Sequence, residues 1–372
     1  MNDAIYLDYN ATAPLRPEAL DAMTDAMGSV GNPSSVHGFG RAAHASLERA
    51  RASVAALVDR PPAGVVFTAG GTEADALALR GTGRGRVLVS RIEHDAVLAA
   101  APGADRITVD AEGRLDLDHL DTLLGETDEP ALVSVMWANN ETGVIQPIAR
   151  VVERAHAAGA LVHVDAVPGA GRLDPSVLSK VDLITLSAHK LGGPAGVGAL
   201  VVREGVPLVP LIAGGGQEKG RRSGTENRIG IAGFAAVAVA AMIGRETEQE
   251  RLARLRDGME ARLRAGAPEL RVLGAGAPRL ANTSCLGLPG VPAETQVMTL
   301  DLDGIAVSAG SACSSGKVKR SHVLDAMLPG DPIAGHAIRV SLGWATTEAD
   351  IDRFAVAWQR MRQRLSPAAR AA

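Results

Sequence analysis

Between residues 65 and 202 the chain alternates short β-branched runs with longer runs rich in Ala, Leu and Arg. The first kind falls at 65–68, 86–90, 106–109, 131–137, 161–164, 183–187 and 197–202. The second, with helical spacing of its apolar positions, falls at 72–80, 94–101, 116–124 and 148–157. Strands that alternate with helices are joined by right-handed crossovers. This lays them in a mainly parallel sheet with helices on both faces. The expectation is an α/β fold on a seven-stranded sheet. Ligands of such sheets bind beyond the carboxyl ends of the strands, so chemistry-bearing residues should follow strands directly.

Near residue 245 the pattern changes. The stretch 229–244 is uncharged and rich in Ala and Gly, and its 16 residues predict a buried helix. They fall short of the ~20 that a bilayer needs. A charged helix follows, with Leu252, Leu255 and Met259 on one face. Shorter strands at 282–288 and 337–342 and a last helix from Thr347 complete a smaller α+β unit. The predicted division is 13–245 for a large domain, and 1–12 with 246–372 for a small one. The N-terminus MNDAIYLDYN carries acids and no apolar core, so no signal peptide is expected and the default compartment is cytoplasmic.

Net charge is −4, with no basic excess to neutralise a phosphate backbone. With three Trp, two Tyr and four Phe there are few platforms for stacking bases, and direct nucleic-acid binding is not expected. Two cysteines, Cys285 and Cys313, cannot frame a secreted disulfide scaffold. They lie 28 apart with no CxxC, so no zinc site or other metal site is expected. Five lysines stand against 33 arginines, which leaves few amines for any amine chemistry.

Four segments can carry chemistry. In SAHKLGGPAGVGAL, Lys190 follows an apolar run and precedes a glycine turn. An amine held there loses hydration and becomes nucleophilic toward aldehydes, unless it is a plain loop lysine. In LVHVDAVPGAG, Asp165 ends an apolar strand and needs a cationic or hydrogen-bonding partner; it also fits a turn or helix cap. In VVFTAGGTEADALAL, Gly70, Gly71 and Thr72 open a helix, where free amides and a hydroxyl cradle phosphate. Thr72 equally fits a helix cap, with Asp75 closing a capping box. The lysine of a P-loop is missing. In SAGSACSSGKVKRSHVL, Cys313 sits among small residues that suit a mobile loop, and Lys317, Lys319 and Arg320 favour its thiolate. Cys285 sits in a strand pattern and reads as core.

Together these segments resemble the cysteine desulfurases, a fold-type I pyridoxal phosphate family. The chain looks most like the group with a long mobile cysteine loop, used in iron–sulfur cluster assembly and nitrogenase maturation. The resemblance is carried by YLDYNATAPL (6–15), GNPSSVHGFGR (31–41), FTAGGTEADALAL (67–79), EHDAVL (93–98), ANNETGVIQPI (138–148), HVDA (163–166), SAHKLGGPAGVGAL (187–200), GGGQEKGRRSGTEN (214–227), GSACSSG (310–316) and IRVSLGWATTEADID (338–352). It implies pyridoxal 5'-phosphate as cofactor. Lys190 would carry it covalently and shuttle the substrate Cα proton. Asp165 would pair with the ring nitrogen, and His94 would stack on the ring and act in acid–base steps. Gly71, Thr72, Ser187 and His189 would hold the phosphate, and Asn140 would lie near the ring hydroxyl. Thr225 would reach the phosphate of a neighbouring subunit, which implies a homodimer. Arg339 and Asn32 would bind the substrate, Arg339 by forking its carboxylate. Cys313 would take the sulfur of L-cysteine as a persulfide, leaving L-alanine, and pass it to an acceptor such as an iron–sulfur scaffold protein or a thiolation pathway.

One departure stands inside the motif after HVDA. Pro168 occupies the place where the family normally has a Gln that donates to the ring hydroxyl, and proline has neither a side-chain donor nor an amide hydrogen. The chain also stops at LSPAARAA, without the further tail that docks a scaffold in many assembly members. An aminotransferase or selenocysteine lyase of the same fold would share Lys190 and Asp165, though an aminotransferase has no need of Cys313. A degenerate cofactor-binding scaffold acting as an interaction partner is favoured only by Pro168.

Overall fold

The computed structural model describes residues 4–310 and 320–366. Its strands, in chain order, are β1 (Ile5–Tyr6), β2 (Val65–Thr68), β3 (Arg86–Ser90), β4 (Asp105–Ile107), β5 (Ala131–Ser134), β6 (Leu161–Asp165), β7 (Leu183–Ser187), β8 (Gly198–Val202), β9 (Arg271–Val272), β10 (Thr283–Gly287), β11 (Ile305–Ala306), β12 (Ser308–Ala309) and β13 (Ala337–Ser341).

The seven runs expected as strands form one seven-stranded sheet in the order β2-β8-β7-β6-β5-β3-β4. Only β8 runs against its neighbours; the other six point the same way. β5 ends at Ser134 rather than at 137. Beyond it Val135 and Trp137 still donate to the carbonyls of His163 and Asp165 at 3.1 and 2.8 Å, so the chain leaves the sheet beside the end of β6.

Strands β5 to β8 are buried along their whole length, as continuous apolar runs in a sheet covered on both faces must be. Successive side chains point to opposite faces. Val133, Val162, Ile184 and Val201 enter one core with the helices Gly38–Ala56, Ile148–Ala157 and Arg228–Met242. Leu132, Leu161, Leu183 and Leu200 enter the other with the helix Gly71–Gly81.

A separate core gathers around an antiparallel sheet β12-β13-β10-β9 and the helices Arg245–Gly266 and Glu348–Leu365. Leu252 and Met259 enter it, as their spacing predicts. Thr347 and Asp350 close a capping box at the start of the last helix. The parallel pair β1-β11 brings the N-terminal segment to this sheet.

Helix Arg228–Met242 departs from expectation. Ile231, Phe234, Val237 and Ala238 are buried, but Val239 is 40% and Ile243 is 75% exposed. An apolar stretch fills a core only where a partner faces it, and one side of this helix has none among the described residues. At Gly244 the backbone turns left-handed (φ 70°), and the charged helix leaves at 76° to the apolar one. No single described helix is long and apolar enough to cross a membrane; the bent pair passes only when its two halves are taken together.

Candidate active site

Five strands deliver the site at their carboxyl ends. β7 ends at Ser187, and one tight helical turn, Ala188–Lys190, turns the lysine back over the sheet. β6 ends at Asp165. The segments after β2, β3 and β5 carry Gly71 with Thr72, His94 and Asn140. These residues and His189 line one cavity of about 200 Å³ with Pro168. Eight of the candidate site residues, with Pro168, therefore line one cavity.

Burial dominates the electrostatics. The Asp165 carboxylate is buried and accepts from the Val167 amide at 2.9 Å. Burial pushes its pKa up, while His94, that amide and Lys190 pull it down. His189 is pushed down to about 4 by burial and by the charges of Lys190 and His94, so it is neutral at pH 7. The Lys190 amine donates to the carbonyls of Asn10 and, at 2.9 Å, Ala11. His94 also caps the helix Asp95–Ala100, its Nδ1 accepting from the Ala96 amide at 3.1 Å. Capping and lining the cavity coexist in this residue.

The opening of helix Gly71–Gly81 corrects the capping-box expectation. The cap position is Gly70, with no side-chain cap, and Thr72 lies inside the helix. Glu73 reaches back instead, accepting from the Ala69 amide at 2.8 Å. Asp75 points inward. It is buried, lines the cavity, and stands 3.6 Å from His163 Nε2, while its Oδ1 has no hydrogen-bond partner. Burial and the nearby Asp165 raise its pKa. His163 bridges Ser134 Oγ (2.8 Å) and Thr185 Oγ1 (2.9 Å), and burial lowers it to about 3. Asp75 was legible only as the residue one helical turn after Gly71, on the same face. Asn10 and Ala11, some 180 residues from Lys190, stand in YLDYNATAPL, a segment that carried the resemblance but gave no role to either.

The remaining candidates lie elsewhere. Arg339 in β13 does not line the cavity; its Nη2 pairs with Asp8 Oδ1 at 2.7 Å and its Nη1 donates to the Asn140 carbonyl at 3.1 Å. Asn32 is exposed and accepts from the Ser34 amide at 2.9 Å. Thr225 is exposed too. Its segment is anchored by Glu218, which takes Arg51 at 2.7 and 2.9 Å and the Phe67 amide, and by Arg222 on Glu73 at 2.8 Å. Cys285 is buried in a core, as expected, and burial drives its thiol pKa up. Cys313, Lys317 and Lys319 lie outside the described residues. Arg320 pairs with Asp325 at 2.6 Å. Arg172 was missed: it donates to the Pro168 carbonyl at 2.7 Å and to the Lys190 carbonyl at 3.1 Å, tying the two strand ends together.

A larger cavity of about 450 Å³ lies beside Lys190, walled by Arg16, Trp344 and Glu248. Of the two, it is the smaller in which buried carboxylates, histidines, hydroxyls and a helix N-terminus converge. Among the described residues no cluster of His, Cys, Asp and Glu could hold a metal. The cavity does fit pyridoxal phosphate. Asp165 offers a buried carboxylate to a protonated ring nitrogen, the amides opening at Gly71 with Thr72 and Ser187 suit a phosphate, and Lys190 offers an amine to an aldehyde. A Cβ at Gly71 would press on Val167 at 3.3 Å, so this edge of the cavity is kept clear by a glycine.

A strand-end lysine and aspartate over a seven-stranded sheet of this order define the large class of fold-type I enzymes, which work through pyridoxal phosphate. Residues 5–354 match the family Aminotransferase class-V. The chain is 45% identical over 369 residues to the cysteine desulfurase of Cereibacter sphaeroides, covering 95% of this chain and 94% of that one. It is 41% identical to the cysteine desulfurase of Trichormus azollae, over 94% of this chain and 90% of the other. Among solved structures, the NifS-like protein of Rickettsia africae ESF-5 superposes with a TM-score of 0.91 at 33% identity, over 97% of this chain and 99% of that one. The chain belongs to the class-V aminotransferase family, on its cysteine desulfurase branch.

Proposed function

We propose that the protein is a cysteine desulfurase that takes sulfur from L-cysteine onto Cys313 and releases L-alanine. The observation that carries this reading is the convergence of Lys190, Asp165, His94 and the helix opening at Gly71 on one cavity, in a chain 45% identical to a cysteine desulfurase. Pyridoxal phosphate, when bound, supplies an electron sink for charge developing at the substrate Cα. Gly71, Thr72, Ser187 and His189 hold its phosphate, and Asn140 lies toward its ring hydroxyl. Asp165 would keep the ring nitrogen protonated: burial disfavours its lone negative charge, and a cation beside it offsets that cost and holds the carboxylate ionised. Lys190 holds the cofactor and then moves the Cα proton, with His94 in the acid–base steps. Arg339 orients the substrate carboxylate, with Asn32 in a substrate-binding role. The Cys313 thiolate attacks the substrate sulfur; the S–Cβ bond breaks, its electron pair stays with carbon, and a proton completes alanine. The outer sulfur then passes to an acceptor, such as an iron–sulfur scaffold protein.

The same reading makes the enzyme a cytoplasmic homodimer in which Thr225 serves the partner's phosphate site. Its exposure and the anchoring of its segment by Glu218 and Arg222 support that role. It also divides the chain into a cofactor-binding unit (13–245) and a smaller one (1–12 and 246–372), in keeping with the separate cores. The deciding test is mass spectrometry after a cysteine pulse. One added sulfur is expected on Cys313, none on Cys285, and no persulfide in Cys313→Ser, which should still bind cofactor. Alanine made at the full rate by Cys313→Ser would overturn the reading.

A further inference from the structure

We propose that Asp8 is the resting counter-ion of Arg339, and that an incoming amino-acid carboxylate competes with it and displaces it, so that Asp8 sets how tightly the site takes its substrate. This rests on the reading of Arg339 as the carboxylate fork. Arg339 is 2% exposed. Its Nη2 is held by Asp8 Oδ1 at 2.7 Å and its Nη1 by the Asn140 carbonyl at 3.1 Å, and its buried Nε has no hydrogen-bond partner. A guanidinium grips a carboxylate through two neighbouring N–H groups. Both edges that could do so, Nη1 with Nη2 and Nη2 with Nε, use Nη2. Nη2 has two N–H groups, one for each edge; Asp8 occupies one of them and sets a negative charge beside the other.

The Asn140 carbonyl also accepts from Asn10 Nδ2 at 3.1 Å, and Asn140 lines the cavity of Lys190, so the guanidinium stands one residue behind the cavity wall. Two carboxylates on one Nη2, in a site as buried as this, repel each other. Asp8 is the group free to yield. Its side chain is 16% exposed against 2% for that of Arg339. Its backbone is pinned by a bridge to Ser341 and by the Ala11 amide on its carbonyl at 3.0 Å, so the exchange is a side-chain rotation. Its other oxygen has a second anchor, Ser308 Oγ at 2.7 Å, and Ser308 faces Arg339 across the β12–β13 ladder. Asp8 released from Arg339 therefore keeps one partner and is not stranded in the interior.

The test titrates the cofactor-loaded enzyme with L-alanine, which lacks the sulfur that reacts, and follows binding by absorbance; KM and kcat for L-cysteine form a second readout. Asp8→Asn keeps the shape and the contact to Ser308 but removes the competing charge. It should tighten L-alanine about tenfold, the worth of one charge-assisted hydrogen bond, and lower KM without raising kcat. Ser308→Ala removes the partner that Asp8 keeps after release, and should weaken L-alanine a few fold while Asp8→Asn tightens it. Asp8→Ser, smaller and uncharged, should tighten it as Asp8→Asn does and decides the matter if Asp8→Asn does not fold. A structural role alone would weaken binding in the Asp8 variants too. Unchanged or weaker binding in the folded Asp8 variants overturns the proposal. Ethylamine separates this from the reading beneath it. If wild type binds ethylamine as tightly as L-alanine, the carboxylate fork itself is wrong. If wild type prefers L-alanine and the Asp8 variants do not tighten, only the role of Asp8 falls.

Discussion

His163 shows what burial does to one residue. It sits between Ser134 and Thr185 with its ring fully enclosed, and its pKa falls to about 3. An unfolded histidine titrates near ~6.5. Between those values the unfolded chain binds a proton that the native one does not. The stability His163 supplies is therefore present above ~6.5 and is lost as pH falls toward about 3. His163→Gln should cost ~1–3 kcal/mol at pH 7.5 through its broken hydrogen bonds. Most of that gap to wild type should close at pH 4.5. Urea midpoints of both proteins at the two pH values check this, and a gap that does not change would show that His163 is not held neutral. The same burial explains why Asp75 and Asp165 are raised together, and why a cation suits the space between the strand ends.

At the scale of elements, the site depends on how closely β8 approaches the turn before helix Gly71–Gly81. A Cβ at Gly198 would lie 2.6 Å from the Gly70 carbonyl carbon and 2.7 Å from the Leu186 oxygen, both backbone atoms that cannot rotate away. Gly198→Ala must push the strand from the turn that presents Gly71 and Thr72. It should cost ~1–3 kcal/mol and weaken cofactor binding. Gly258→Ala, in the charged helix with open space around it, should instead gain ~0.5–1 kcal/mol. Thermal melts and cofactor titrations of the two variants separate a packing conflict at the site from a general intolerance of alanine. Equal melting points would show that the approach is slack.

At the scale of the whole molecule, apolar side chains are left outside both cores: Val30 is 74%, Val36 88%, Phe39 64% and Ile243 75% exposed. They lie on and beside the helices Gly38–Ala56 and Arg228–Met242, which pack on each other. This supports a second copy of the chain as their cover. Sedimentation should give about twice 38.3 kDa for the wild type. Phe39→Lys with Ile243→Lys should sediment as a monomer and bind pyridoxal phosphate less tightly, because Thr225 then has no neighbouring site to complete. A wild-type monomer with full cofactor affinity would refute the shared site.

The alternation of strands and helices, the bounds of β2, β3 and β7, and the cluster of Lys190, Asp165, His94 and Gly71 after strand ends were legible in the sequence. Each rests on local periodicity, or on the rule that a parallel sheet works at its carboxyl edge. Family resemblance supplied roles for these residues, which spacing alone left open. The partners were decided by tertiary structure. Asp8 meets Arg339 across 331 positions of sequence, Asn10 meets Lys190 across 180, and Asp75 turns from the supposed capping-box partner of Thr72 into a buried neighbour of His163. Hydrogen bonds and charge pairs form between atoms in space. A chain's local pattern says which face a residue occupies, but only the packed sheet and its crossovers say what stands opposite.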